Sequence, residues 1–250
     1  MARVSVGNCV STAAEMLRFS MTSLIENAGT DDFDLVIVTW LPSPEVLEVI
    51  EELRERHPAL QRWGYETTPG IGYVPNLRAL INATFEACFA LNDFSALVNT
   101  DQYFGTNWLA PLVEHATEET IVNSQHVTPI KGGHVITADC GVPEPATFDL
   151  AKFERLQSRH AGAGIQTEEE RGGWLNTNTL PYVFHRKWWD RCGPWGLHHV
   201  SGPTPDRLFF QRCHDAGARF TMAMGSVCYH HEAVERRRKR PPGAEGMSET

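Results

Sequence analysis

LVNTDQYFGTNWL, residues 97–109, decides how the chain is read: an apolar run ends abruptly in Asn99, Thr100 and Asp101. A strand sunk in a core does not finish on an acid unless a cation or a polar ligand at its carboxyl end offsets the charge. Asp101 is therefore the first candidate for chemistry.

Working outward, residues 94–98 form the strand that carries this ending. Before it, Leu77, Leu80, Ile81, Thr84, Phe85 and Cys88 recur at helical spacing and predict a helix from near Asn76. Residues 61–68 read as a strand, closed by the turn PGIGYVPN. DLVIVTW, residues 34–40, is a continuous apolar run of the kind buried on both faces of a parallel sheet. Ser43 and Pro44 then open a helix with Val46, Val49, Ile50 and Leu53 inward. At the start, RVSVGNCV (3–10) reads as a strand; Thr12 and Glu15 form a capping box for a helix running to Gly29. After residue 109, a helix from about Asn107 leads into the strand TIVNSQHV. This alternation predicts an α/β fold: a Rossmann-like, mostly parallel central sheet flanked by helices, with right-handed crossovers. Such sheets bind ligands at the carboxyl ends of their strands, where Asn8, Thr39 and Asp101 sit.

The second half is less regular. Residues 130–173 are rich in Gly, Pro and charge and predict a mobile, partly irregular segment. Residues 174–196 read as a strand and a short helix. A helix starts at Thr204 and Pro205 and stops at Gly217, and FTMAMGSVCYHHE is a last strand ending in paired histidines. The expected organisation is one domain, 1–234, with a sheet half (1–129) and an irregular second half (130–234). The tail 235–250 is too polar and Pro-rich to pack and is expected to be disordered.

The formal charge of −9 over 250 residues argues against a general nucleic-acid binder. RRRKR at 236–240 is the local exception, a cluster suited to weak contact with anionic surfaces. Six cysteines without a CxxC pair suit reduced thiols, so a cytoplasmic location is expected. No run approaches the roughly 20 apolar residues that span a bilayer, and no signal-peptide core is present, so a soluble protein is expected. GIG at 70–72 lacks the third glycine of a dinucleotide fingerprint, which disfavours a Rossmann oxidoreductase.

NTDQYFG followed by WL, then TPDRLFFQRCHDAGARF, then SVCYHH, resemble in order and spacing a GT-A glycosyltransferase, most nearly the family 2 group, over roughly residues 3–232. The resemblance implies a metal-dependent enzyme that moves a sugar from a nucleotide-activated donor (UDP-, GDP- or dTDP-sugar) to a hydroxyl acceptor of unknown class, with inversion. It implies that the sheet half binds the nucleotide sugar and the second half the acceptor. It places Asp101 at the last acid of a D-x-D motif, holding Mn²⁺ or Mg²⁺ against the diphosphate, with His230 completing the metal site. Asp206 stands where the family has its general base. Asn8, Thr39, Asn76, Asn99 and Asp101 would line the donor pocket, and Arg78 would reach the donor. The irregular segment 139–173 would close over it.

This chain departs from the pattern at three places, one being the acidic pair before the late helix, which is reduced to Pro205 and Asp206. Asn99 replaces the first acid and is a poorer ligand for a hard cation, and Thr39 followed by Trp40 replaces an Asp, leaving Trp40 to stack on a base. Trp174, Trp188, Trp189 and Trp195, with His198 and His199, concentrate aromatics in the second half; Trp195, in the turn CGPWG, is the expected acceptor-facing ring. Each site also has an ordinary explanation: a turn cap for Asp101, surface exposure for His230 and His231, the helix dipole for Asp206 and core packing for the tryptophans. Two other functions stay open, a nucleotidyltransferase on a similar sheet and a catalytically silent sugar-nucleotide-binding protein.

Overall fold

The computed structural model describes residues 3–10, 13–67, 72–130, 135–177, 180–196 and 204–231. Strand β1 (Val4–Val10) pairs in parallel with β2 (Phe33–Thr39) on one side and β4 (Phe94–Val98) on the other, and β3 (Gln61–Gly64) adds to the outer side of β2. Alternation sorts the side chains by face. Val4, Val6 and Val10 join Phe33, Leu35 and Ile37 under α1 (Ala14–Glu26) and α2 (Pro44–Arg56). Val36 and Val38 instead meet Leu80, Ala87 and Cys88 of α3 (Tyr73–Phe89). Gly7 lies on the α3 face, where a Cβ would stand 2.6 Å from Thr84 Cγ2 and 2.8 Å from Cys88 Sγ. The helix can pack this closely only because that side chain is missing. The Ser43 side chain accepts from the Val46 N–H and Pro44 occupies the first turn of α2, as their order in the sequence predicts.

The sheet continues across the rest of the chain. After α4 (Ala110–His115) come β6 (Thr120–Thr128) and β10 (Arg219–His230), parallel to each other; β9 (Tyr182–His185) is inserted antiparallel between β4 and β6. The order is β3-β2-β1-β4-β9-β6-β10-β5, where β5 (Gln102–Phe104) runs antiparallel to β10 at the far edge. Short strands β7 (Ile136–Thr137) and β8 (Ile165–Thr167) pair with β6 and β10. Two antiparallel steps restore direction, so β1, β2, β3, β4, β6 and β10 all point the same way. Their carboxyl ends make one edge. A second aromatic core joins Phe85 and Phe89 to β9, α6 (Arg186–Cys192) and α7 (Pro205–Asp215).

The structure differs from the sequence reading in three places. The segment 130–173 contains α5 (Leu150–Ser158), capped by Asp149 accepting from the Lys152 N–H at 2.9 Å. Its Phe153 is fully buried with Tyr229 and Val127, so this part is anchored to the sheet rather than loose. The second departure is β5, a strand at residues to which the sequence reading assigns no element. The third is Trp40, which is 0% exposed, donates from Nε1 to Thr67 Oγ1 and packs on Tyr73; it is core and offers no face to a base. Thr12, Gly70, Ile71, His198, His199 and the tail from 232 lie outside the described residues. Of the expected capping box, the first described residue is Ala13, which holds the N-cap position without a side-chain bond.

Candidate active site

The register of β5 builds the site. His230 pairs with Gln102 across the β10–β5 ladder, so the residue just before Gln102 is carried to the end of β10. The Asp101 carbonyl accepts from the His231 N–H at 3.0 Å, and Gln102 Oε1 accepts from the Asn99 N–H at 2.8 Å, tying the turn after β4 to the last strand. As a result Asp101 Oδ1 lies 3.1 Å from His230 Nε2, two residues far apart in sequence. Asp101 is fully buried and His230 8% exposed. Of the two terminal histidines, His230 brings its ring to Asp101, whereas His231 meets it through its backbone. Asn99 Nδ2 stands 3.3 Å from the same His230 nitrogen.

Adjacent donors around an octahedral ion at about 2.0–2.1 Å are separated by about 3 Å. The Asp101–His230 spacing fits one such edge, with a hard carboxylate oxygen and a borderline imidazole nitrogen as donors. Among the described residues no group of three His, Cys, Asp or Glu is arranged to hold a metal ion. The pair fits a cation whose other positions are filled by phosphate oxygens and water.

A residue that the sequence reading passed over stands beside this pair. His126, near the carboxyl end of β6, has its ring centroid 5.1 Å from that of His230. Burial first, and then the neighbouring His230, hold its pKa well below the ordinary histidine value, against the opposing pull of Asp101. TIVNSQHV is legible as a strand, but strand reading does not single out one polar residue near its end.

The other predicted residues are placed as follows. Asn8 is buried between β1 and β4 and donates to the Val98 carbonyl at 3.0 Å. Thr39 donates to the Trp63 carbonyl at 3.2 Å. Asn76 donates to the Gly72 carbonyl at 2.9 Å and accepts from the Tyr65 hydroxyl at 3.2 Å. All three brace the carboxyl edge from behind its surface. Arg78 approaches the Gly196 carbonyl at 3.4 Å. Asp206 lies in the first turn of α7, partly exposed. Tyr182, on β9, is packed edge-on against Phe210 of α7. Burial, with the nearby Asp206 and then Cys213, pushes the Tyr182 phenol well above its usual range. Tyr182 pairs with Leu97, near the end of β4, so Asp206 overlooks the same edge of the sheet as Asp101. Trp195 is 7% exposed and its ring is packed against Phe85, while its backbone N–H donates to Asn82 Oδ1 at 3.0 Å. Its ring belongs to the aromatic core; the expected acceptor-facing ring is not found there.

Comparison with known proteins bears on this architecture. No family model matches the chain, and no curated protein matches it by sequence. Among solved structures, S. aureus TarS 1-349 superposes with a TM-score of 0.62 at 15% identity, covering 94% of this chain and 62% of that one. The same protein in complex with UDP gives 0.62 at 15%, covering 92% and 60%. GalNAc-T7 with UDP, GalNAc and Mn²⁺ gives 0.61 at 14%, covering 99% and 46%. The chain thus spans less than two thirds of the length of these neighbours. At such identities the likeness establishes the fold, which is that of the GT-A glycosyltransferases, as the resemblance implies.

Proposed function

We propose that this chain is a nucleotide-sugar glycosyltransferase that depends on a divalent cation and inverts the anomeric centre. One observation carries the reading: the 3.1 Å approach of Asp101 to His230 at the carboxyl edge of a GT-A sheet. The neighbours support it, since one is a complex with UDP and another holds UDP, GalNAc and Mn²⁺. UDP-sugars are therefore the first donors to try, ahead of GDP- and dTDP-sugars.

Residues 1–129 take the donor side and 130–234 the acceptor side. Asp101 and His230 would hold the cation, which supplies charge stabilisation to the departing diphosphate. Asn99 orients the His230 ring through its amide. Asn8, Thr39 and Asn76 keep the strand and helix ends that form the nucleotide pocket in place. Asp206 accepts the proton of the acceptor hydroxyl as its oxygen forms a bond to the anomeric carbon. The carbon–oxygen bond to the diphosphate breaks, and its electron pair leaves with the nucleoside diphosphate.

The test is product analysis with UDP-, GDP- and dTDP-sugars, with and without Mn²⁺ or Mg²⁺. Release of nucleoside diphosphate with a divalent ion supports sugar transfer. Release of pyrophosphate would instead identify a nucleotidyltransferase, and full turnover in chelator would contradict the cation's role. One observation favours a second reading: Asn99, in place of an acid, contacts the His230 nitrogen that a cation needs. Sugar-nucleotide binding without consumption of any donor would establish a silent binding protein.

A further inference from the structure

Tyr182 pairs with Leu97 of β4 on one side and with Asn123 of β6 on the other, so the three side chains share one face of the sheet. That face carries α7, whose Phe210 ring lies 4.5 Å from the Tyr182 ring, centroid to centroid. Asp206 stands four residues before Phe210, on the same side of the helix and one turn nearer its N-terminus. The Tyr182 side chain is 1% exposed, and its hydroxyl has no hydrogen-bond partner among the described residues. Oδ1 of Asn123 is in the same state, while the amide nitrogen donates to the Thr221 carbonyl at 3.1 Å. A buried hydroxyl without a partner calls for a role that packing alone does not supply, since a phenylalanine would fill the same space. After burial, the Asp206 charge is the next cause that holds the Tyr182 phenol above its usual range, so carboxylate and hydroxyl share one locality. Other ionisable groups of α7 have partners elsewhere: Arg212 donates to the Cys192 and Pro194 carbonyls, Cys213 meets Cys192, and His214 approaches Glu168 at 3.7 Å.

We propose that Tyr182 is a positioning residue for Asp206: its hydroxyl donates to the carboxylate, directly or across one water, and holds it toward the acceptor oxygen. The inference rests on the reading of Asp206 as the base. A phenol that keeps its proton serves an anion as a donor, and a hydrogen bond to a charged group is the stronger kind. It fixes one carboxylate oxygen and leaves the other to take the proton of the acceptor hydroxyl. If the Tyr182 hydroxyl serves Asn123 instead, its removal is felt equally with and without Asp206.

The test is a double-mutant cycle on the full chain with Tyr182→Phe, Asp206→Ala and the two together. It is read by urea midpoint and by UDP release from UDP-GalNAc with Mn²⁺. Tyr182→Phe keeps the ring and removes the donor, so kcat should fall by about tenfold with donor KM unchanged. In the Asp206→Ala background the same change should cost nothing further, in kcat or in midpoint. Equal losses in both backgrounds, or no loss in either, overturn the inference and leave the proposed function standing. Coupled midpoints without any UDP release support the contact while the proposed function falls. Should Tyr182→Phe not fold, the carbon-13 shift of Tyr182 Cζ in the wild type and in Asp206→Ala reads the same bond: a changed shift supports it and an identical one contradicts it.

Discussion

Asp101 carries a carboxylate at a position closed to water, and a buried carboxylate is tolerated only where opposite charge or hydrogen bonding answers it. The His230 ring at 3.1 Å is part of that answer and marks where a cation would sit. Asp206 is different: it is partly exposed on the first turn of a helix, where a carboxylate costs little. Asp206→Asn preserves shape and removes the proposed base, so steady-state kinetics should show kcat lowered by about 10²–10⁴ with donor KM nearly unchanged. An equal rise in KM without loss of kcat would assign Asp206 to binding. At this scale Asp101 and His230 stand out in the sequence because one follows an apolar strand and the other ends one, each a residue that a core would reject. His126 is not legible, since its nearness to His230 depends on which strands are neighbours, and nothing local in TIVNSQHV states that. Trp40 and Trp195 mislead for the opposite reason: an aromatic beside a turn reads as a platform, yet burial decides, and both are core.

Among the elements, β1, β2, β4 and the first three helices follow from patterns within each segment: a valine-rich stretch for β1, apolar runs for β2 and β4, helical spacing for α1, α2 and α3. The elements that escape sequence reading are short and owe their structure to partners. β5 is three residues long and exists because β10 lies beside it; α5 has Phe153 as its one buried residue, too few for a period to show. The packing of α3 on β1 yields a direct test. Gly7→Ala would drive a methyl against Thr84 and Cys88 at 2.6 and 2.8 Å. Overpacking of this kind costs about 1–3 kcal/mol, seen as a lower urea midpoint with an unchanged slope. An unchanged midpoint would mean that α3 shifts freely over the sheet. The end of α2 carries a pH response. The His57 ring stacks on Phe33 with centroids 4.5 Å apart, and burial keeps its pKa below the ordinary value of about 6.5. The unfolded chain then binds more protons in that window, so the contribution is complete above about pH 6.5 and declines as pH falls below it. Thermal melts from pH 7 to pH 5 should show a falling Tm, with a shallower slope in His57→Gln. An identical slope would remove His57 from the account.

The whole molecule is one sheet whose forward strands deliver their ends to a single edge. Two antiparallel strands, β9 and β5, go with this: β9 lies between β4 and β6, antiparallel to both, so that β6 and β10 run in the direction of β4, and β5 ties β10 back onto the turn after β4. The edge collects Asp101 and His126 from the first half and His230 from the second, so the site forms only when both halves share the sheet. Among the described residues no helix is long and apolar enough to cross a membrane. The central claim is that Asp101 and His230 grip a divalent ion that in turn grips a nucleoside diphosphate. Its most direct measurement is calorimetric titration of UDP into the wild type and Asp101→Asn, each with Mn²⁺ and with chelator. The account predicts UDP binding by the wild type that requires Mn²⁺ and is lost in Asp101→Asn. UDP binding of equal strength in chelator, or retained in full by Asp101→Asn, would contradict it.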